Sequence, residues 1–180
     1  MKHPKDRFQW SPGAIAMIYF LDPSMRPCLH RGIEILSEAT DGVDVALDQT
    51  LRTPQQAAAN AKSGAGIINS MHLPNSRGHS RAFDFRTVGK SQAARYALGP
   101  LRIIRGAMLQ AFDEAKVIVR SGSDWNCNGI EIASDMAERG QRVDLVHIEL
   151  VESTHHRYQA ALSARIRRIA ARQTGTQWPL

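Results

Sequence analysis

Short stretches that alternate apolar and polar residues, set among longer stretches of helical period, restrict most what this chain can fold into. Residues 43–48 alternate Val43, Val45 and Leu47 with polar or small neighbours, as a half-buried strand does. Residues 82–85 and 143–151 read as further strands, and the β-branched stretch 116–120 as another. Helical signals fall between them. They cover 14–21 behind the start signals Ser11 and Pro12, 27–39 with Leu29, Ile33, Ile35 and Leu36, and a stretch from Thr53-Pro54 to about Ser63. Two more run over 91–115, with an interruption near Gly99-Pro100, and over 154–172. In the last helix Tyr158, Leu162, Ile166 and Ile169 recur at helical spacing and are expected to pack on the core. Helices interleaved with a few short strands and long loops predict an α+β domain: a small, mainly antiparallel sheet flanked by helices. A length of 180 residues suits a single domain with a real core, closed by a basic helix and tail over 154–180.

The charge balance narrows the partners. Lys and Arg number 23 against 17 Asp and Glu, a net charge of +6, which favours an anionic partner such as nucleic acid, acidic lipid or an anionic wall polymer. No helix-turn-helix signature, zinc-finger spacing or aromatic-interleaved basic strand supports nucleic acid, so none is expected. Arg157, Arg165, Arg167, Arg168 and Arg172 on the last helix read either as a solvated face or as a cationic one that meets an anionic wall or lipid. The apolar run 14–21 is too short to span a bilayer, and no small-residue cleavage site follows it, so synthesis in the cytoplasm without a secretion signal is expected. Two cysteines, Cys28 and Cys127, are too few for a disulfide framework and are expected to be free thiols.

The chemistry-bearing residues sit in three separated places. Ser70-Met-His72 comes first, Ser80-Arg-Ala-Phe-Asp84 follows, and Asp144-Leu-Val-His147-Ile-Glu149 lies far downstream. Two histidines and an aspartate are a set that can hold Zn²⁺ while leaving a fourth position open to water. Asp144, three residues before His147, is placed to take a proton from that water. By strand period Asp84 shares a face with Ala82, and His147 shares one with Glu149.

This order of residues resembles the VanY-like zinc peptidases, which include D-alanyl-D-alanine carboxypeptidases and dipeptidases and the phage L-alanyl-D-glutamate endolysins. Leu51-Arg52-Thr53-Pro54-Gln55-Gln56 resembles the family's Arg-Thr-x-x-x-Gln segment, and Arg120-Ser-Gly-Ser-Asp124-Trp125 its Gly-Gly-Asp-Trp turn. The resemblance covers about residues 26–151. It implies zinc ligation by His72, Asp84 and His147, Asp144 as general base, and Arg52 polarising the scissile carbonyl. Ser70 would touch substrate or position the ligand loop, and Glu149 would orient a ligand histidine from behind. Gln56 would line the pocket or merely continue its helix, Asp124 and Trp125 would shape a turn beneath the site, and the pair His155-His156 would be solvated.

One departure stands out. His72 and Asp84 lie twelve positions apart, farther than the family usually places them, and Ser80 stands where the family has glycine. Residues 73–79 then form an expanded loop rich in turn formers, and His79 becomes a competing ligand. The function implied is hydrolysis of a peptidoglycan stem-peptide bond by a zinc metallopeptidase, most naturally a monomeric phage endolysin of L-alanyl-D-glutamate type that reaches the wall through holin pores. A D-alanyl-D-alanine carboxypeptidase or dipeptidase uses the same metal chemistry, and a non-catalytic wall-binding phage structural protein is the rival from another class.

Overall fold

The computed structural model describes residues 10–39, 43–64, 66–122, 144, 146–154 and 157–175. The first helix, α1 (Pro12–Tyr19), starts where the sequence signals it. The Ser11 hydroxyl accepts the Ala14 N–H at 3.2 Å, and Pro12 occupies a first-turn position where its missing donor costs nothing. It stops short of the expected Leu21, which leaves the helix to bridge in parallel with Ser80. Helix α2 (Arg26–Ala39) buries Leu29, Ile33, Ile35 and Leu36 together with Cys28. Burial pushes the Cys28 thiol up to about 11, so it is an inert packing residue.

Strand β1 (Val45–Gln49) leads to α3 (Pro54–Lys62), which opens on a capping box. Thr53 Oγ1 accepts the Gln56 N–H while Gln56 Oε1 accepts the Thr53 N–H, so the Gln56 side chain is spent on the cap. After a long loop come β2 (Ala82–Thr87), the short α4 (Gln92–Arg95) and the long α5 (Leu98–Glu114). The helical interruption falls just upstream of the expected place. Gly99 and Pro100 lie in the first turn of α5, where backbone N–H groups have no helical partner to lose. Lys116, at φ 59°, turns the chain out of α5, so the next strand, β3 (Val119–Ser121), is shorter than the 116–120 pattern suggests. Strand β4 (His147–Leu150) and α6 (Tyr158–Gln173) complete the described elements.

The four strands form one antiparallel sheet in the order β1-β2-β4-β3. One face carries Phe83, Phe85 and Ile148, all fully buried against helices. Phe83 stacks on Phe112 of α5 with ring centroids 6.1 Å apart. Helices α2 and α5 pack closely because Gly32 has no side chain. A Cβ there would lie 2.5 Å from Met108 Sδ and 3.3 Å from Met108 Cα. The opposite face of β2 and β4 presents Asp84, His147 and Glu149. The chain is thus a mixed α+β single domain with a small antiparallel sheet, as its sequence pattern implies.

The last helix departs from expectation in its buried stripe. Tyr158 and Leu162 pack against a cluster of Ile118, Val151, Ala161 and Ala164, whereas Ile166 is exposed and Ile169 half-buried. The cause is Asp113 of α5, whose buried carboxylate accepts Arg168 Nε at 3.1 Å and Nη2 at 2.7 Å and also takes Arg172. Arg165 Nη2 donates to the Asp113 carbonyl at 2.8 Å. Helix α6 therefore turns Arg168 inward, and Arg168 and Arg172 converge on the Asp113 carboxylate while Arg165 takes the carbonyl of the same residue, so these three do not form a solvent-facing cationic stripe. Among the described residues, no helix is long and apolar enough to cross a membrane.

Candidate metal centre

Antiparallel pairing sets the first two groups side by side. Asp84 of β2 lies opposite His147 of β4, and the next pair along the same face is Ala82 opposite Glu149. Directly opposed residues on one face have neighbouring Cβ atoms, so the strand register brings a carboxylate and an imidazole into contact. His147 Nδ1 lies 2.9 Å from Asp84 Oδ1.

The third group arrives on the loop between α3 and β2, and that loop is fixed at several points. The Arg52 N–H donates to the His72 carbonyl at 2.9 Å, and the His72 N–H donates to Ser70 Oγ at 3.3 Å. His72 Nδ1 donates to the Thr50 carbonyl at 2.7 Å, and the Ser80 hydroxyl donates to the same oxygen, also at 2.7 Å. Ser80, where the family pattern has glycine, thus ties the end of the expanded loop to the shelf that orients the histidine. His72 Nε2 is left pointing at the strands, 3.3 Å from Asp84 Oδ2 and 3.3 Å from His147 Nδ1.

These three separations test the metal reading. A tetrahedral Zn²⁺ with ligand bonds of about 2.0–2.1 Å requires ligand atoms roughly 3.3 Å apart. The two histidine nitrogens stand at that spacing, 3.3 Å apart, and the Asp84 carboxylate faces both, with Oδ1 at 2.9 Å from His147 Nδ1 and Oδ2 at 3.3 Å from His72 Nε2. The tautomers point the same way. His72 spends its Nδ1 proton on Thr50, and His147 Nε2, 3.0 Å from Glu149 Oε2, spends its proton on that carboxylate. The two remaining nitrogens then face each other as lone pairs, an arrangement that repels unless a cation or a proton lies between them. His72, Asp84 and His147 are the group of the described residues whose ligand atoms converge in this way. His79 is not among them; its backbone closes a turn with Asn75.

Electrostatics reinforce the site. Burial alone would raise the Asp84 carboxyl, but hydrogen bonds and charge from His147 and His72 hold it well below the usual carboxylate range. Burial likewise works against a charged His147, yet Asp84 and Glu149 raise it to about 9. Glu149 is opposed by burial too, and is kept low by His147 and by Arg120, whose Nε donates to Glu149 Oε1. Asp144 is pushed up, first by burial and then by the Asp84 charge. Its carboxylate accepts the Val146 N–H at 3.3 Å in the turn that enters β4, and it lies within the field of Asp84, His147 and His72.

Arg52 is 8% exposed. Its Nη1 donates to Ser70 Oγ at 3.2 Å, and its Nε and Nη2 both donate to Gln49 Oε1. Among the described residues no carboxylate pairs with it. Three contributors escape the sequence reading: Gln49, the Thr50 carbonyl and Arg120. Arg120 had a findable signal, because pairing β3 with β4 puts it opposite Glu149. A backbone carbonyl such as that of Thr50 leaves no trace in residue type. Asp124, Trp125, Cys127, His155 and His156 lie outside the described residues.

No family model and no curated protein matches this sequence. Among solved structures, the chain is similar to the L-Ala D-Glu endopeptidase ChiX of Serratia marcescens, with a TM-score of 0.59 and 14% identity over 82% of this chain and 92% of that one. At that identity the likeness is one of fold: this chain folds as that peptidase does, and in the same fold it carries a His-Asp-His group able to hold a metal ion.

Proposed function

We propose that this chain is a zinc-dependent peptidase that cuts an amide bond in peptidoglycan stem peptides, of the L-alanyl-D-glutamate endopeptidase type. The observation that carries the reading is the convergence of His72 Nε2, His147 Nδ1 and the Asp84 carboxylate, in contacts of 2.9 to 3.3 Å, with the other nitrogen of each histidine committed outward. The fold shared with an L-Ala D-Glu endopeptidase supports the bond assigned. Residues 1–180 then form one peptidase domain, acting as a monomer on the wall. The basic balance, with 23 Lys and Arg against 17 Asp and Glu, helps it approach that anionic polymer. A phage endolysin released through holin pores suits this chemistry.

His72, Asp84 and His147 would hold the ion. Bound there, Zn²⁺ supplies Lewis acidity that brings the pKa of water from 15.7 toward about 7. Asp144, whose carboxyl is already raised by burial, takes the proton from the attacking water and later hands it to the leaving amine. Arg52 places a permanent cation against the oxyanion that develops on the scissile carbonyl. Ser70, bonded to Arg52 and to the His72 N–H, links the oxyanion donor to the ligand loop and offers its hydroxyl to substrate. Glu149 and Arg120 keep His147 in the tautomer that frees Nδ1.

Digestion of purified Gram-negative peptidoglycan with and without a chelator, read by mass spectrometry, tests this directly. Chelator-sensitive cleavage between L-Ala and D-Glu is expected. Release of terminal D-Ala would instead make the enzyme a carboxypeptidase. No cleavage by folded, zinc-loaded protein would leave a wall-binding role.

A further inference from the structure

Strand β1 carries an irregularity with a consequence for the site. Leu47 pairs with Phe85 and Gln49 pairs with Asp84, so two steps along β1 match one step along β2, and Asp48 is the extra residue of a bulge. Without it, Gln49 would follow Leu47 onto the core face, because side chains alternate. With it, Gln49 shares the face of Asp84. Its Oε1 there accepts both the Nε–H, at 3.1 Å, and the Nη2–H of Arg52.

That two-pronged contact is the one an arginine fork ordinarily makes to a carboxylate. Here the acceptor is a neutral amide, and the other side-chain acceptor, Ser70 Oγ, is neutral as well. An arginine only 8% exposed is normally paired, since an unpaired buried charge is costly. The close approach of Gly66, whose Cβ position lies 3.5 Å from Nη1, encloses the group further. Among the described residues the charge is therefore fixed in direction and has no carboxylate to neutralise it.

We propose that Gln49 is a positioning residue that aims the Arg52 guanidinium by hydrogen bonds while sparing its full positive charge for the oxyanion formed on the substrate. The inference rests on the peptidase reading for its kinetic consequence, and its geometric half is independent of that reading. Gln49→Glu keeps the shape and the hydrogen bonds but adds a compensating charge. Gln49→Ala removes the hydrogen bonds altogether.

The experiment compares these variants with the wild type in zinc content, melting temperature, steady-state kinetics on a stem peptide, and the ¹⁵N resonance of the Arg52 Nε–H, assigned by its loss in Arg52→Lys. Q49E is expected to keep its zinc and melt at or above the wild-type temperature, while kcat falls about 10- to 100-fold and KM changes far less. A merely structural role predicts that the better-paired Q49E is as active as the wild type, and that result would overturn the proposal. The Nε–H signal is expected to be resolved and slowly exchanging in the wild type and Q49E, and to collapse toward the exposed arginines in Q49A. An unchanged signal in Q49A would overturn the positioning half whatever the activity. If the wild type cleaves nothing, the peptidase reading fails and the charge-sparing half fails with it, while the Nε–H comparison still decides whether Gln49 holds Arg52.

Discussion

At the scale of single residues, the site is a balance of buried charge. Asp84, Glu149 and Asp144 bring carboxylates to one end of β4, and His147 and Arg120 answer them in part. Because Asp84 and Glu149 raise His147 to about 9, the metal-free protein carries a proton there at neutral pH. The sign follows from linkage: a pKa raised from 6.5 stabilises the metal-free fold fully below about 6.5, and the contribution is lost as pH climbs through about 9. A zinc ion bound there would have to displace that proton, so binding near pH 7 is expected to release one and to tighten as pH rises toward 9. Titration calorimetry in buffers of different ionisation enthalpy reads the proton directly. Asp144→Asn offers a complementary check. It leaves the ligand triangle in place, so zinc content should match the wild type while kcat falls on the order of 10²- to 10⁴-fold. His72, Asp84, Asp144 and His147 were all visible as residue types in the sequence. Their proximity was not, since it depends on the pairing of β2 with β4 and on a loop pinned to the Thr50 carbonyl.

At the scale of elements, the helical and strand periods were legible where a segment has one clean buried face. The pattern of 27–39 corresponds to α2 and that of 82–85 to most of β2, because in both the burial follows the expected period. It misled in the second half of the last helix, where Ile166 was expected to continue the apolar stripe of Tyr158 and Leu162 but is exposed, while Arg168 is buried. Hydropathy alone does not predict an inward arginine; the buried carboxylate that demands it lies 55 residues away on α5. Asp113→Ala would leave Arg168 and its neighbours without their shared acceptor. Removing one partner of a buried ion pair costs about 3–5 kcal/mol, so α6 should undock or the whole domain should melt earlier. Denaturant unfolding measures the loss. A change under about 1 kcal/mol would mean that the arginines find water instead. Gly32→Ala tests the other helix contact. Its new methyl meets the Met108 backbone as well as its flexible sulfur, and the overpacking should cost about 1–3 kcal/mol.

At the scale of the whole molecule, the centre is where distant parts of the chain meet. His72 comes from the loop before β2, Asp84 from β2 itself and His147 from β4, separated by 75 residues between the histidines. In an unfolded chain these ligands do not converge, so an ion that binds them binds the folded state almost exclusively. Its stabilisation then follows mass action, about 2.7 kcal/mol at a free metal concentration of 100 Kd and about 4.1 at 1,000 Kd. Melting temperature should rise with zinc concentration and fall on chelation, and the increment should vanish in His72→Ala, where the triangle is broken. The increment should also shrink as pH drops from 9 toward 6, because the proton on His147 competes for the same nitrogen. Differential scanning calorimetry over a zinc series at two pH values reads both effects in one experiment. A melting temperature that ignores zinc in the wild type would show that the three groups are held together by the proton alone, as a buried ion-pair cluster. A rise that persists in His72→Ala would move the binding site elsewhere in the molecule.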